Sequence, residues 1–189
     1  MHAQNDSYGV EWQYKSSASL KRSVNEVLLE QNLKDALIRL NPEISANNAL
    51  ADEVIYKLRG VVLEARHAGL VKANENFHEW LMAEKTLPFG ENGDHITINL
   101  IDFDNISNNH FVVSQQVHYI AETEVYFDIV LYVNGIPLVV GEVKTATRPS
   151  VTWQDGAADF MGGKKHYWKN VEPFFVPNLL CFASEGKTF

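Results

Sequence analysis

The sequence predicts an α/β (α+β) domain, a mixed β-sheet flanked by helices behind a helical N-terminal part. Two observations predict it. Apolar residues recur at helical spacing up to about residue 90, and from about Ile96 the spacing changes to that of strands. Two of those strands, Phe127–Val133 and Ile136–Val143, are apolar at nearly every position, as central strands covered on both faces must be.

The elements follow in order. Residues 1–18 are polar and aperiodic and read as a flexible lead-in, with residues 19–189 as a single domain. Leu20, Val24, Val27, Leu28, Leu33, Leu37 and Leu40 predict a helix over 19–40, stopped by Asn41-Pro42 because a residue before proline avoids the helical region. Ser45 or Asn47 can cap the next helix, whose stripe is Leu50, Val54, Leu58, Val61, Val62 and Ala65, and Gly69 ends it. Phe77, Trp80 and Leu81 form the buried face of a shorter helix near 73–84. Ile96, Ile98 and Leu100, then Phe111 and Val113, then Val117 and Tyr119, alternate as strands do. The catalytic sheet and its helix are expected over about 95–189. Residues 152–169 read as a helix weakened by Gly156, Gly162 and Gly163. Pro173 and Pro177 mark a loop, and Leu179–Ala183 is a last buried strand.

Composition narrows the function classes. The chain has 189 residues, 46% hydrophobic and 21% charged, enough for a core without staples. Its one cysteine, Cys181, excludes an intrachain disulfide, sits in an apolar run and reads as a buried inert thiol. A reducing cytoplasm fits that usage. No segment has the pattern of a membrane span or a secretory signal. A net charge of −8 argues against gripping nucleic acid by bulk charge alone.

The chemistry concentrates at Asp128, Glu142 and Lys144. Asp128 and Glu142 stand fourteen positions apart, with two apolar strands and Asn134-Gly135 between them. Charged groups in such strands are costly unless paired or bound to metal. Two carboxylates can hold a divalent cation, which stabilises phosphoryl charge and acidifies a bound water. Magnesium takes oxygen ligands and few protein carboxylates. Asp128, Glu142 and the backbone carbonyl of Val143 are the expected ligands. Lys144 shares a face with Glu142 and can orient water or neutralise phosphate charge. The bland alternative is a salt bridge of Lys144 with Glu142 or Asp128.

Register constrains this reading. A simple two-residue hairpin at Asn134-Gly135 pairs Val133 with Ile136 and sets Asp128 opposite Gly141, which turns Glu142 to the wrong face. Convergence requires an odd-length connection or a bulge, with Gly135, in a bulged three-residue loop, or Gly141 expected to break the ladder.

The stretch from Phe127 to Lys144 resembles the nuclease core of the R subunit of type I restriction enzymes, a branch of the PD-(D/E)xK nucleases. The upstream Asn76-Phe77-His78-Glu79-Trp80-Leu81 and Leu40-Asn41-Pro42 resemble the same family. The resemblance implies a restriction-endonuclease-like sheet and magnesium-dependent, non-specific cleavage of double-stranded DNA. It also implies docking on methyltransferase and specificity subunits, and ATP use by a motor that follows in a longer chain. No Gly-x-x-x-x-Gly-Lys-Ser/Thr loop is present, so neither ATP binding nor translocation is expected of these residues themselves. Two features depart from the family pattern. Phe127 replaces a proline, and Gly156 and Phe160 fall where the family has Gln-x-x-x-Tyr; Gln154 is a candidate substitute.

Arg148, Gln154, Lys164 and Lys165 are candidate DNA contacts, and a solvated helix face explains such cations equally well. Glu64, Glu75, Glu79 and Glu84 are available as an upstream metal-site glutamate. His78 and His118 read as packed or surface residues, and no zinc spacing occurs. Two other readings stand beside the nuclease of a type I enzyme: another PD-(D/E)xK nuclease, and a degenerate nuclease fold kept as a docking or regulatory module.

Overall fold

A computed structural model describes residues 10–145, 147–148 and 150–185. Its centre is a five-stranded mixed sheet. The strands are β1 (Trp12–Tyr14), β4 (Phe111–Ile120), β5 (Glu124–Val133), β6 (Ile136–Val143) and β7 (Leu180–Ser184), in that spatial order. The β4–β5–β6 centre is antiparallel, and both edge strands run parallel to their neighbours. A two-stranded ribbon, β2 (Thr86–Leu87) with β3 (Ile96–Thr97), lies apart. The fold class is the one the sequence predicts.

The helices are α1 (Glu30–Leu40), α2 (Pro42–Ala46), α3 (Ala49–Ala68), α4 (Leu70–Leu81), α5 (Trp153–Met161), α6 (Tyr167–Asn170) and α7 (Glu172–Phe175). Asn41-Pro42 ends α1, and Pro42 opens α2, where its missing donor costs nothing. Gly69 closes α3 at φ 84°, open to glycine and costly for other residues. Leu33, Leu37, Val54, Leu58, Phe77 and Leu81 bury the helical stripes.

Five expectations are corrected. The lead-in read for 1–18 contains β1 paired to β4, while residues 1–9 lie outside the described residues. The helix expected over 19–40 begins only at Glu30. Residues 20–29 bond to the sheet instead: Arg22 donates to the His118 carbonyl, and Leu29 N–H donates to Gly135 O at 2.8 Å. Ile98 and Leu100 are buried but lie beyond β3, bound into loop contacts rather than a ladder. The helix over 152–169 breaks at Gly162 and restarts after His166, which is left-handed at φ 43°. Pro173 lies in the first turn of α7 rather than a loop.

Candidate active site

β5 and β6 meet through a two-residue turn in which Asn134 and Gly135 both have positive φ, 51° and 83°. Asn134 is fully buried and satisfied: its amide donates to Leu100 O and Asn109 Oδ1, and its oxygen accepts from His110 N. The turn is the simple one, with Val133 opposite Ile136. The register then shifts. Tyr132 pairs with Pro137 but Leu131 pairs with Val139, so Leu138 is the extra residue. The expected bulge exists, and it stands beside Pro137 rather than at Gly135 or Gly141. Pro137 has no N–H for the ladder, so this is where an interruption costs least.

Beyond the bulge, Ile129 pairs with Gly141, and Asp128 therefore stands opposite Glu142 on one face. The ladder skips Asp128 on the β4 side, resuming at Val117–Phe127, and ends at Ile129–Gly141 on the β6 side. On the β4 side, Gln116 takes a left-handed φ of 51°, and its amide donates to Asp128 Oδ1 at 2.8 Å. On the β6 side, Val143 N–H donates to Asp128 Oδ2 at 2.8 Å. An extended residue turns its N–H and C=O to the same side, so the Val143 carbonyl opens toward Asp128 as well.

Glu142 is fully buried, 0% exposed. Its Oε1 accepts from Tyr167 Oη at 2.7 Å and from the Lys165 ammonium. Its Oε2 is buried with no hydrogen-bond donor, and the Asp128 carboxyl acts on the Glu142 carboxyl as a neighbour. Burial, then the neighbouring Asp128, push the Glu142 carboxyl above the usual range, against the pull of Lys165 and Tyr167. Burial acts on Asp128 in the same direction, but the neighbouring Glu142 carboxyl and the bonds from Val143 N–H and the Gln116 amide outweigh it and hold its carboxyl below the usual range. The pair thus has an ionised member and a reluctant one.

Lys144 shares the Glu142 face but bonds neither expected carboxylate. Its ammonium donates to Asp159 Oδ2 of α5 at 2.6 Å. Burial alone lowers the Lys144 pKa, but Asp159 and the carboxylate pair outweigh that and raise it. Helix α5 comes this close because Gly156 has no side chain: a Cβ there would lie 3.1 Å from the Ala183 Cβ and 3.5 Å from Glu142 and Lys144. Thr152 and Asp155 cap α5 reciprocally. Phe127 is fully buried among Tyr119, Tyr167, Phe174 and Phe175.

The candidate DNA contacts separate. Lys164 and Lys165 line an open cleft of about 480 Å³ with Gln116, Tyr126, Asp128 and Tyr167. Gln154 is exposed on α5, and Arg148 is exposed on the segment before it. None of the upstream glutamates joins the pair. Glu64 accepts from Asn76, Glu75 pairs with Lys72 and Glu79 with Lys85. Among the described residues no three His, Cys, Asp or Glu side chains gather as a metal-binding group. His78 is exposed, and His118 stacks on Tyr126 and pairs with Glu124. Gln116, Asp159 and Tyr167 are the site residues that sequence reasoning missed. Gln116 and Tyr167 reach the carboxylates and Asp159 reaches Lys144, each from a distant segment, and only the chemistry-bearing residue types could have flagged them.

The family model described as "Type I restriction enzyme R protein N terminus" matches residues 4–189. The chain belongs to this family. The chain is 30% identical over 189 residues to a Methanocaldococcus jannaschii protein named "Putative type I restriction enzyme MjaIXP endonuclease subunit". It is 25% identical over 187 residues to the "Type I restriction enzyme HindI endonuclease subunit" of Haemophilus influenzae. Each alignment covers 93% of this chain but 17% of the relative's length. Gly156 and Phe160, where the resemblance led to the expectation of a Gln-x-x-x-Tyr, are both buried residues of α5. Polar contacts to Glu142 come instead from Lys165 and Tyr167, just beyond that helix.

Proposed function

We propose that this chain is the DNA-cleaving part of a type I restriction endonuclease subunit and acts as a magnesium-dependent, PD-(D/E)xK-type phosphodiesterase. The observation that carries the reading is the convergence of Asp128 and Glu142, with one Glu142 oxygen buried and lacking any donor. A buried carboxylate oxygen with no donor is costly, and a bound cation would offset that cost. Two carboxylates and the Val143 carbonyl are hard oxygen donors, and magnesium completes such a set with water. When bound, the metal would supply charge stabilisation at the phosphoryl oxygens and a more acidic water.

The protein's own groups do the rest. Gln116 and Val143 N–H aim the two Asp128 oxygens, and Tyr167 aims Glu142. Lys144 stays protonated, so its role is a positive charge beside water or phosphate rather than a base. Phosphoryl transfer of this kind needs positioning and charge more than covalent chemistry, and no covalent intermediate is formed. Double-stranded DNA would enter along the cleft that Lys164 and Lys165 line. ATP-driven translocation, and docking on methyltransferase and specificity subunits, belong to the longer subunit in its complex. Family membership favours this reading over another PD-(D/E)xK nuclease. The closed ion pairs Lys165–Glu142 and Lys144–Asp159 favour the second reading, a docking module with a retired site.

Cleavage by the full-length subunit in its assembled complex separates the two. Glu142→Gln and Asp128→Asn should each lower magnesium-dependent cleavage at least ~100-fold, about 3 kcal/mol of barrier, with ATP hydrolysis retained. Undiminished cleavage in both variants would establish the docking module.

A further inference from the structure

Glu142 Oε1 carries two donors of unlike mobility. Tyr167 is fully buried, and its ring is clamped by Phe127, Phe160 and Phe175. Lys165 has a side chain 41% exposed and belongs to the turn between α5 and α6 that begins with Gly162 and Gly163. Its ammonium also lies 3.6 Å from Asp159 Oδ2 and 5.2 Å from the Tyr167 ring centroid. Three carboxylates (Asp128, Glu142, Asp159) therefore face two ammoniums (Lys144, Lys165), leaving a local charge of −1. Lys144 is largely enclosed, 17% exposed, and is held by Asp159. A divalent cation drawn to the carboxylate pair repels whichever ammonium is nearer and freer to move, which is Lys165.

We propose that Lys165 is the exchangeable cation of the site. It holds Glu142 while no metal is bound, and on metal binding it swings to the cleft, where its ammonium contacts a phosphate of the DNA. Tyr167 is a positioning residue that keeps Glu142 aimed in both states. The geometry supports the exchange. Lys165 already lines the cleft beside Asp128, and the side chain needs only to rotate toward solvent. The inference rests on the carboxylate pair being a metal site.

The test is calorimetric titration of the 189-residue chain with Mn²⁺, read beside cleavage by the assembled enzyme. Lys165→Met should bind Mn²⁺ about tenfold more tightly, because a repelling charge is gone. The same change should weaken DNA cleavage, because the phosphate contact is gone. Opposite signs in the two readouts are what a merely structural lysine does not produce. Lys165→Arg, which keeps the charge, should bind Mn²⁺ as the wild type does. Tyr167→Phe should bind Mn²⁺ several-fold more weakly. Lys165→Gln is read alongside as a second neutral variant, with circular dichroism confirming the fold of each. Mn²⁺ affinity that is unchanged or weaker in both neutral variants overturns the exchange, provided Glu142→Gln abolishes binding. Wild-type binding that survives Glu142→Gln, or no binding at all, overturns the metal reading and the exchange with it.

Discussion

At the scale of single residues, the site is an exercise in where a buried charge finds compensation. Glu142 satisfies one oxygen with Tyr167 and Lys165 and leaves the other facing Asp128. Asp128, Glu142 and Lys144 were legible in the sequence because they interrupt strands that are otherwise apolar. Gln116, Asp159 and Tyr167 were not, because ordinary polar residues in distant segments acquire meaning only when the chain brings them to one place. Lys165 was legible as a basic residue but not as the partner of Glu142, since twenty-three positions separate them. Cys181 tests the buried-thiol reading directly. It is half-buried with its Sγ 3.1 Å from Asn178 Oδ1, and burial pushes its thiol up to about 11 from 9.0. The thiolate is the reactive form, so alkylation at pH 8 should run about a hundredfold slower than for a free thiol and accelerate up to pH 11. Iodoacetamide rates across that range would check it, and a rate equal to free cysteine would contradict the burial.

At the scale of elements, one extra residue decides whether the site exists. Without Leu138 as a bulge, strand alternation would set Glu142 and Lys144 on the opposite face from Asp128. The need for an interruption could be read from the spacing alone. Its place could not, because Gly135 and Gly141 looked permissive while Pro137 acts through a missing donor. Gly135 serves a different purpose. Its φ of 83° and its contact with Leu29 and Leu33 backbone atoms of the N-terminal segment leave no room for a Cβ. Gly135→Ala should therefore destabilise the fold by roughly 2–4 kcal/mol, from the left-handed backbone plus overpacking. Urea denaturation would show it as a lower midpoint, and a loss under ~1 kcal/mol would mean the turn can relax. The helix wrongly expected to begin near residue 19 carries the same lesson. Its apolar residues are buried as expected, Leu20, Val27 and Leu28 among them, but its backbone bonds to the sheet. Periodicity reports which residues are buried, and tertiary partners decide the backbone that buries them.

At the scale of the whole molecule, the net charge of −8 and a cleft whose Lys164 and Lys165 are balanced by Glu124 and Asp128 have to be reconciled with a DNA substrate. A chain this acidic gains little from diffuse attraction to DNA, so its two cleft lysines and a bound cation would supply the local positive field. The antiparallel β4–β5–β6 centre fixes the carboxylates, and the β6–α5–β7 crossover lays Asp159, Lys165 and Tyr167 over them. A cation bound there ties β5 to β6 only in the folded state, so it should also stabilise the molecule. At a hundred times its dissociation constant the gain is about 2.7 kcal/mol. For a chain of 189 residues that is roughly 5–10 °C in thermal midpoint, absent in Glu142→Gln. The most direct measurement is a crystal structure of the chain grown with Mn²⁺, examined by anomalous scattering. The account predicts a single peak between Asp128 and the free oxygen of Glu142, with Lys165 turned toward the cleft. Anomalous density elsewhere only, with Lys165 still on Glu142, would contradict it.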